Sequence, residues 1–129
     1  MAQIIPQLSV RDVDRYIEFL RDAFGFELAS DWRDPSDAEH VNIEMALGGA
    51  LVGIGRAKAD RTVPKEPDVP NIGLYVVVDD VDAHHERARA AGAEINFPLA
   101  DQPWGHRMYG AVDPEGHEWG FATPIERSE

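Results

Sequence analysis

A pair of adjacent histidines followed by a carboxylate stands out among the side chains of this sequence that could do chemistry at neutral pH. His84 and His85 precede Glu86. Neighbouring residues on a helix point about 100° apart, and histidines that share a metal ion on a helix are four residues apart. This spacing therefore does not favour a metal site. We expect His84 to pack in the core and His85 to face solvent.

The remaining histidines are scattered. His40, His106 and His117 fall at predicted strand ends and loops, where a histidine is more often structural than catalytic. Any of them could act as a general base if its ring faced a pocket, and the sequence leaves their orientation open. The chain has no cysteine, which excludes thiol nucleophiles. Nucleophile-elbow, phosphate-loop and dinucleotide motifs are missing too, since Gly53-x-Gly55 lies in a predicted strand.

The acidic charge balance limits the classes of molecule that this chain is expected to bind. The 129 residues include 12 Lys and Arg against 24 Asp and Glu, a formal charge of −12. Such a chain repels phosphate backbones and anionic membrane surfaces, so we expect no nucleic-acid partner and no membrane partner. The longest apolar run, 72–78, is too short to span a bilayer. No basic residue precedes Arg11, unlike in a signal peptide, and we expect a cytoplasmic protein.

The chain repeats itself. The Val-x-Asp-Val-Asp pattern at 10–14 recurs at 78–82, an offset of 68 residues. The segment 23–28 is echoed at 90–95, an offset of 67 residues. Two matches in the same order at nearly the same offset predict a duplicated unit. We therefore divide the chain into a first unit, a linker rich in proline and a second unit, at 1–55, 56–70 and 71–125.

Each unit has the same predicted elements. In the first, a strand leads to Asp12 as helix N-cap, the helix stops at Gly25 and three strands follow; Asp80 and Gly92 mark the same points in the second. The predicted strands are 3–10, 26–31, 40–47 and 50–55, then 72–78, 93–98, 107–112 and 117–122. The predicted class is α+β, with two tandem β-α-β-β-β units. Each is a cupped, mostly antiparallel four-stranded sheet with one helix on its outer face.

An open sheet with one helix cannot bury both of its faces. The two units must therefore close on each other or on another subunit, and we expect a homodimer. The sequence leaves open whether the units pair within one chain or across the dimer. A cupped face that is closed in this way encloses a pocket for a small molecule.

The paired units and their helix starts, with the closing motif from Asp113 to Trp119, resemble the vicinal oxygen chelate superfamily. That superfamily includes glyoxalase I, extradiol dioxygenases, fosfomycin-resistance enzymes and bleomycin-binding proteins. The stretch 103–123 is most similar to its PhnB-like branch and to drug-binding members. The resemblance implies a fold more firmly than an activity, because many chemistries share this scaffold.

The resemblance also implies where a metal would be held. Members that use a metal hold it with four side chains on the strands of the two units. Counting from the helix-start and turn aspartates transfers three of these positions to Ile5, Gly73 and Gly120, and we assign the fourth to Glu44. One carboxylate cannot hold a divalent ion, which needs three or more protein ligands. We therefore predict no metal and no cofactor.

Strand alternation extends these positions into a candidate ligand-binding set. The small residues at Gly73 and Gly120 should leave room for a planar organic guest stacked on aromatic rings, and a cationic guest could pair with a carboxylate. The set is aromatic and polar, although each tryptophan could instead be a packing residue: Gln7, Trp32, Asn42, Glu44, Tyr75, Trp104 and Glu118.

The sequence thus predicts metal-independent binding, with possible sequestration, of a small aromatic organic molecule in a cupped pocket. The alternative is an enzyme of the glyoxalase family, a lyase, isomerase or dioxygenase. Such an enzyme would use a metal site that the pattern hides, or Glu44 as a metal-free base.

Overall fold

The computed structural model describes residues 2–56 and 73–125. Within them the chain forms two helices and eight strands, arranged as two successive β-α-β-β-β units. The elements of the first unit are β1 (Gln7–Val10), α1 (Val13–Phe24), β2 (Glu27–Arg33), β3 (Val41–Leu47) and β4 (Ala50–Arg56). Those of the second are β5 (Leu74–Val77), α2 (Val81–Ala90), β6 (Glu94–Asp101), β7 (His106–Val112) and β8 (Glu118–Pro124).

The two helices begin in the same way. The Asp12 carboxylate accepts a hydrogen bond from the Arg15 amide, and the Asp80 carboxylate accepts one from the Ala83 amide. Each bond satisfies an amide that has no partner within the helix. Gly25, directly after α1, has a left-handed φ of 80°, which glycine adopts without strain. The predicted helix starts are confirmed.

Both units have the same sheet topology. The strand order is β1-β4-β3-β2 in the first sheet and β5-β8-β7-β6 in the second. In each sheet the outer first strand runs parallel to the last strand of its unit, and the other neighbours are antiparallel. The predicted class, two tandem β-α-β-β-β units, is confirmed.

Some element boundaries differ from the prediction. The first strand begins at Gln7 rather than at residue 3, because Pro6 has no amide hydrogen to donate to a neighbouring strand. Trp32 lies within β2 rather than after it. Of the predicted linker 56–70, Arg56 ends β4 and the rest lies outside the described residues.

The two units pack through their helices and through an aromatic core. The ring of Phe24, at the end of α1, lies 4.8 Å from the ring of Phe121 and 5.3 Å from that of Trp119, both on β8. His84 on α2 donates from Nε2 to the Phe24 carbonyl, at 2.8 Å, and accepts from the Tyr109 hydroxyl at Nδ1, at 2.6 Å. Burial lowers the pKa of His84. His84 is therefore a core histidine, as predicted.

A buried carboxylate joins the units at a second place. Asp113, which is 4 % exposed, lies in the turn between β7 and β8. One of its oxygens accepts from the Tyr16 hydroxyl at 2.5 Å and from the Trp119 indole at 2.8 Å. The other accepts from the Glu115 and His117 amides. Burial, and then the Asp113 charge, raise the pKa of Tyr16. This network ties the first helix to the second sheet.

Neither described helix is long and apolar enough to cross a bilayer.

Candidate functional site

The first sheet turns a polar face away from its helix. On β3 the side chains alternate, with Val41, Ile43 and Met45 buried toward α1 and Asn42 and Glu44 on the opposite side. Register places Ser30, on β2, beside Glu44, and its hydroxyl donates to the Glu44 carboxylate at 3.3 Å. We call this surface the polar face and define it by Gln7, Ser30, Asn42 and Glu44.

The polar face includes a side chain that lies directly over a glycine. Gln7 on β1 pairs in register with Gly53 on β4. A Cβ atom added at Gly53 would lie 2.3 Å from the Gln7 Oε1 atom, far inside van der Waals contact. Gly53 therefore provides the space for the Gln7 carboxamide. Strand alternation predicted Gln7 in the ligand-binding set, whereas its dependence on Gly53 has no signal in the local sequence.

The second sheet turns an aromatic face away from its helix. The residues of β5 and β8 that face the core are Leu74, Val76, Trp119 and Phe121, and the alternate residues occupy the other side. We call that other side the aromatic face and define it by Tyr75, Phe97, His106 and Met108, with Trp104 on the loop before β7. Tyr75 is 48 % exposed and Trp104 is 56 % exposed, so both rings are accessible in the single chain.

The aromatic face repeats the arrangement seen on the polar face. Tyr75 pairs in register with Gly120, as Gln7 pairs with Gly53. A Cβ atom at Gly120 would meet the Tyr75 ring at 3.2 Å and the Met108 methyl group at 3.4 Å. The prediction that Gly120 leaves room for a guest is therefore wrong, because Tyr75 and Met108 take that space. At Gly73 the same test finds only a carbonyl oxygen at 3.8 Å, so that position is open.

Three polar groups meet on the aromatic face. The Trp104 indole nitrogen donates to the Tyr75 hydroxyl at 3.3 Å, and that hydroxyl lies 2.7 Å from the His106 Nδ1 atom. The rings of Tyr75 and His106 stack, with centroids 5.8 Å apart and planes 23° apart. From the sequence, His106 was a candidate general base whose orientation was left open, and it was not included in the predicted ligand-binding set. Strand alternation could have placed it on this face, because it has the same parity as Met108 and Gly110 on β7.

The register corrects one transferred metal position. Because Gln7–Gly53 and Tyr75–Gly120 are equivalent pairs, the residue that corresponds to Gly120 in the first unit is Gly53 on β4. Glu44 lies on the neighbouring strand β3. The four positions are thus Ile5, Gly53, Gly73 and Gly120, none of which has a side chain that can ligate. The described part of the chain also has no cluster of three His, Asp or Glu side chains that could hold a metal. These residues do not fit a metal of the superfamily type.

The other predicted site residues divide between the two sheets. Trp32, 49 % exposed, is opposite Asn42 in register and packs edge-on against His40 at 5.0 Å. Glu118 is exposed on β8, two residues before Gly120. The predicted ligand-binding set grouped Glu44 with Gln7, Asn42 and Tyr75. The first two share its face, whereas Tyr75 lies on the other sheet.

The remaining histidines are accounted for by local contacts. The His117 Nε2 atom is 3.1 Å from the Ser9 carbonyl, a contact between the two units. His40 lies 3.7 Å from the Asp34 carboxylate. His85 was expected to face solvent, yet it is half-buried, with its ring edge-on to Tyr109 at 4.9 Å. Packing and surface pairing thus explain these three rings.

A cleft of about 310 Å³ borders the aromatic face. It lies between the β3–β4 hairpin and the outer strand β5, and Tyr75, Phe26 and Trp119 are among its lining residues. Clefts that hold small ligands begin at about this volume. A small planar molecule could therefore contact Tyr75 within one chain.

Comparison with known proteins identifies the family. Residues 3–121 match the family model described as the Glyoxalase/Bleomycin resistance protein/Dioxygenase superfamily. The chain belongs to this superfamily. An uncharacterised protein of Mycobacterium bovis, Mb0911c, is 33 % identical over 127 residues, which cover 93 % of this chain and 82 % of that protein.

Two solved structures of this superfamily fold are similar over nearly their whole length. TioX from Micromonospora sp. ML1 is 33 % identical, with a TM-score of 0.77, and the match covers 97 % of this chain and 100 % of TioX. TnmS3, an antibiotic binding protein from Streptomyces sp. CB03234, is 25 % identical, with a TM-score of 0.68 and coverage of 95 % and 97 %. The fold of this superfamily member is thus shared with a protein that binds an antibiotic.

Proposed function

We propose that this protein binds, and thereby sequesters, a small aromatic organic molecule without using a metal. The observation that carries the proposal is the accessible aromatic face, where Tyr75, Phe97 and Trp104 are each more than two-fifths exposed. Exposed aromatic side chains clustered on one face mark binding surfaces, because their burial against a planar guest is favourable. The similarity to TnmS3, an antibiotic binding protein, supports the same class of ligand.

The second part of the proposal is that a homodimer completes the pocket, in the cytoplasm. Within one chain the two units pack through their helices and through the core-facing side chains of β8, so the polar face and the aromatic face are both left open. A second copy that places its polar face over the aromatic face would cover both. The guest would then stack on Tyr75 and Trp104 while Glu44 orients it or neutralises a cationic group.

The enzymatic alternative depends on Glu44. This half-buried carboxylate accepts a hydrogen bond from Ser30 and belongs to no group of three His, Asp or Glu side chains among the described residues that could hold a metal. In a binder, Glu44→Gln preserves shape but removes the charge. In a metal-free enzyme the same change would lower turnover about 10²- to 10⁴-fold and leave guest affinity nearly unchanged. The two functions therefore differ in which quantity Glu44→Gln changes.

The test is calorimetric titration with a panel of planar aromatic compounds that includes the cation proflavine. Trp104→Ala should weaken binding at least about fivefold, because a stacked ring contributes about 1 kcal/mol, and Trp104→Phe should restore part of the loss. Glu44→Gln should weaken proflavine binding about 5- to 150-fold, as expected for a charge-assisted contact. Glu18→Gln removes a charge on α1 outside both faces and is the control. If no panel member binds, or if Trp104→Ala changes nothing, the proposal fails.

A further inference from the structure

The contacts of the Tyr75 hydroxyl bear on which nitrogen of His106 carries the proton. An indole nitrogen can only donate, so the Tyr75 oxygen accepts from Trp104. The Tyr75 proton then has one acceptor among the described residues, the Nδ1 atom of His106 at 2.7 Å. An imidazole that accepts at Nδ1 carries its proton on Nε2. With the Tyr75 hydroxyl donating to Nδ1, the cluster is a directional chain from Trp104 through Tyr75 to His106.

The surrounding structure holds each member of this chain in place. The Tyr75 ring lies over Gly120 and is flanked by Met108, so its position depends on the missing side chain at Gly120. Trp104 lies in a tight turn where the Gly105 amide donates to the Gln102 carbonyl at 3.1 Å. Gly105 has a φ of 90°, which favours glycine. The space at Gly120 and the turn at Gly105 thus help to position Tyr75 and Trp104.

The outer nitrogen of His106 is the polar group that the chain leaves available. Within residues 2–56 and 73–125, no side chain or carbonyl accepts a hydrogen bond from Nε2. His106 is on the same side of the second sheet as Tyr75, because its position on β7 is in step with Met108. The aromatic face therefore combines stacked rings with one N–H donor.

We infer that His106 selects the guest: the ligand is a planar aromatic molecule with a hydrogen-bond-accepting oxygen, such as a ketone, quinone or carboxylate, that the Nε2 proton recognises. Tyr75 is a positioning residue, because it keeps that proton on the outer nitrogen. This inference rests on the proposed function and names the chemistry of its ligand. A guest bound in this way would turn its acceptor oxygen toward His106 and its donor groups toward Glu44.

The binding test compares fluorenone with fluorene, two planar tricycles that differ by the carbonyl oxygen. Equilibrium dialysis gives the dissociation constant of each for wild type and for His106→Phe, which keeps a ring and loses the donor. The ratio of the fluorene dissociation constant to the fluorenone dissociation constant should be about 3- to 10-fold larger for wild type than for His106→Phe, as expected for one hydrogen bond. Tyr75→Phe, which keeps the ring, should reduce this preference. Circular dichroism verifies that both variants fold.

Failures of the two proposals are distinguishable. Equal ratios in wild type and His106→Phe, with both compounds bound, would refute the role of His106 and leave the proposed function intact. If neither compound bound to wild type, the proposed function would fail, and this inference with it.

Long-range ¹H–¹⁵N spectra of the wild-type chain at pH 8 test the proton position without any ligand. They should show His106 protonated on Nε2 and unprotonated on Nδ1, and Tyr75→Phe should shift the Nδ1 resonance. A proton on Nδ1 in the wild-type protein would overturn the assignment.

Discussion

Replacing Asp113 tests whether one buried carboxylate joins the two units. Its oxygens accept from two buried side chains, Tyr16 and Trp119, and from two amides of its own turn. Asp113→Ala removes the acceptor for all four donors. Water can reach the turn amides once the carboxylate is gone, whereas the Tyr16 hydroxyl and the Trp119 indole stay inside the core.

The magnitude follows from those two stranded donors. A buried polar group that loses its partner costs about 1–3 kcal/mol, so Asp113→Ala should lower the free energy of unfolding by about 2–5 kcal/mol. Asp113→Asn keeps one oxygen for the turn but presents an amide group to the two side chains. Tyr16 can rotate its hydroxyl to accept, and Trp119 cannot, so about 1–3 kcal/mol should be lost. Tyr16→Phe should cost about 1–2 kcal/mol.

Urea unfolding, followed by tryptophan fluorescence and circular dichroism, measures these differences. Asp37→Asn is the control, because the Glu39 amide in an exposed turn is the only donor to the Asp37 carboxylate among the described residues, and the change should alter stability by less than about 0.5 kcal/mol. An Asp113→Ala variant as stable as the control would show that the network does not hold the units together.

Three further predictions concern stability. Gly110→Ala should lower the free energy of unfolding by more than about 1 kcal/mol, because its Cβ would lie 2.9 Å from the Cβ of Phe97. Gly53→Ala should lower it little, since only the flexible end of Gln7 must move. The urea midpoints of the two variants test this difference. Burial lowers the pKa of His84, so its neutral form stabilises the fold above about pH 6.5. That contribution should decline as the pH falls below this value, by at most about 1.4 kcal/mol per pH unit. The free energy of unfolding between pH 5 and 8 should therefore vary less for His84→Gln than for wild type. Arg33→Gln breaks exposed ion pairs and should cost less than about 1 kcal/mol, with less effect still in 0.5 M salt.

Local signals in the sequence explain why the elements could be predicted. Asp12 and Asp80 each cap a helix within three residues along the chain, so a short window contains the whole interaction. The repeat then fixed the second unit from the first. Element ends were less predictable, as β6 shows: it continues past Pro98 to Asp101 because register shifts accommodate the irregular backbone.

The geometry of the site depends on residues that are distant in sequence. Gln7 and Gly53 are brought together only by the register of a parallel strand pair. No local pattern encodes that register, so Glu44 was assigned a position that belongs to Gly53. Likewise, the contact between Tyr75 and His106 joins different strands, and parity alone indicates the shared face.

The packing of the units on each other could not be predicted from the repeat. It depends on contacts such as those of Arg87, whose guanidinium donates to the Asp22 and Arg21 carbonyls at the end of α1. An arginine in the last turn of a helix usually interacts with the carbonyl groups at the end of its own helix. Arg87 instead donates to the end of the neighbouring helix, and no pattern in the sequence indicates that partner.

Native mass spectrometry of the protein mixed with a panel of planar aromatic compounds tests metal-independent binding by a dimer, because it reports subunit number, metal and bound guest together. We expect a homodimer that retains one aromatic guest for each completed pocket and no stoichiometric divalent metal, with guest retention reduced in Trp104→Ala. A species that retains no aromatic guest, or one that holds about one metal ion per subunit, would contradict this expectation.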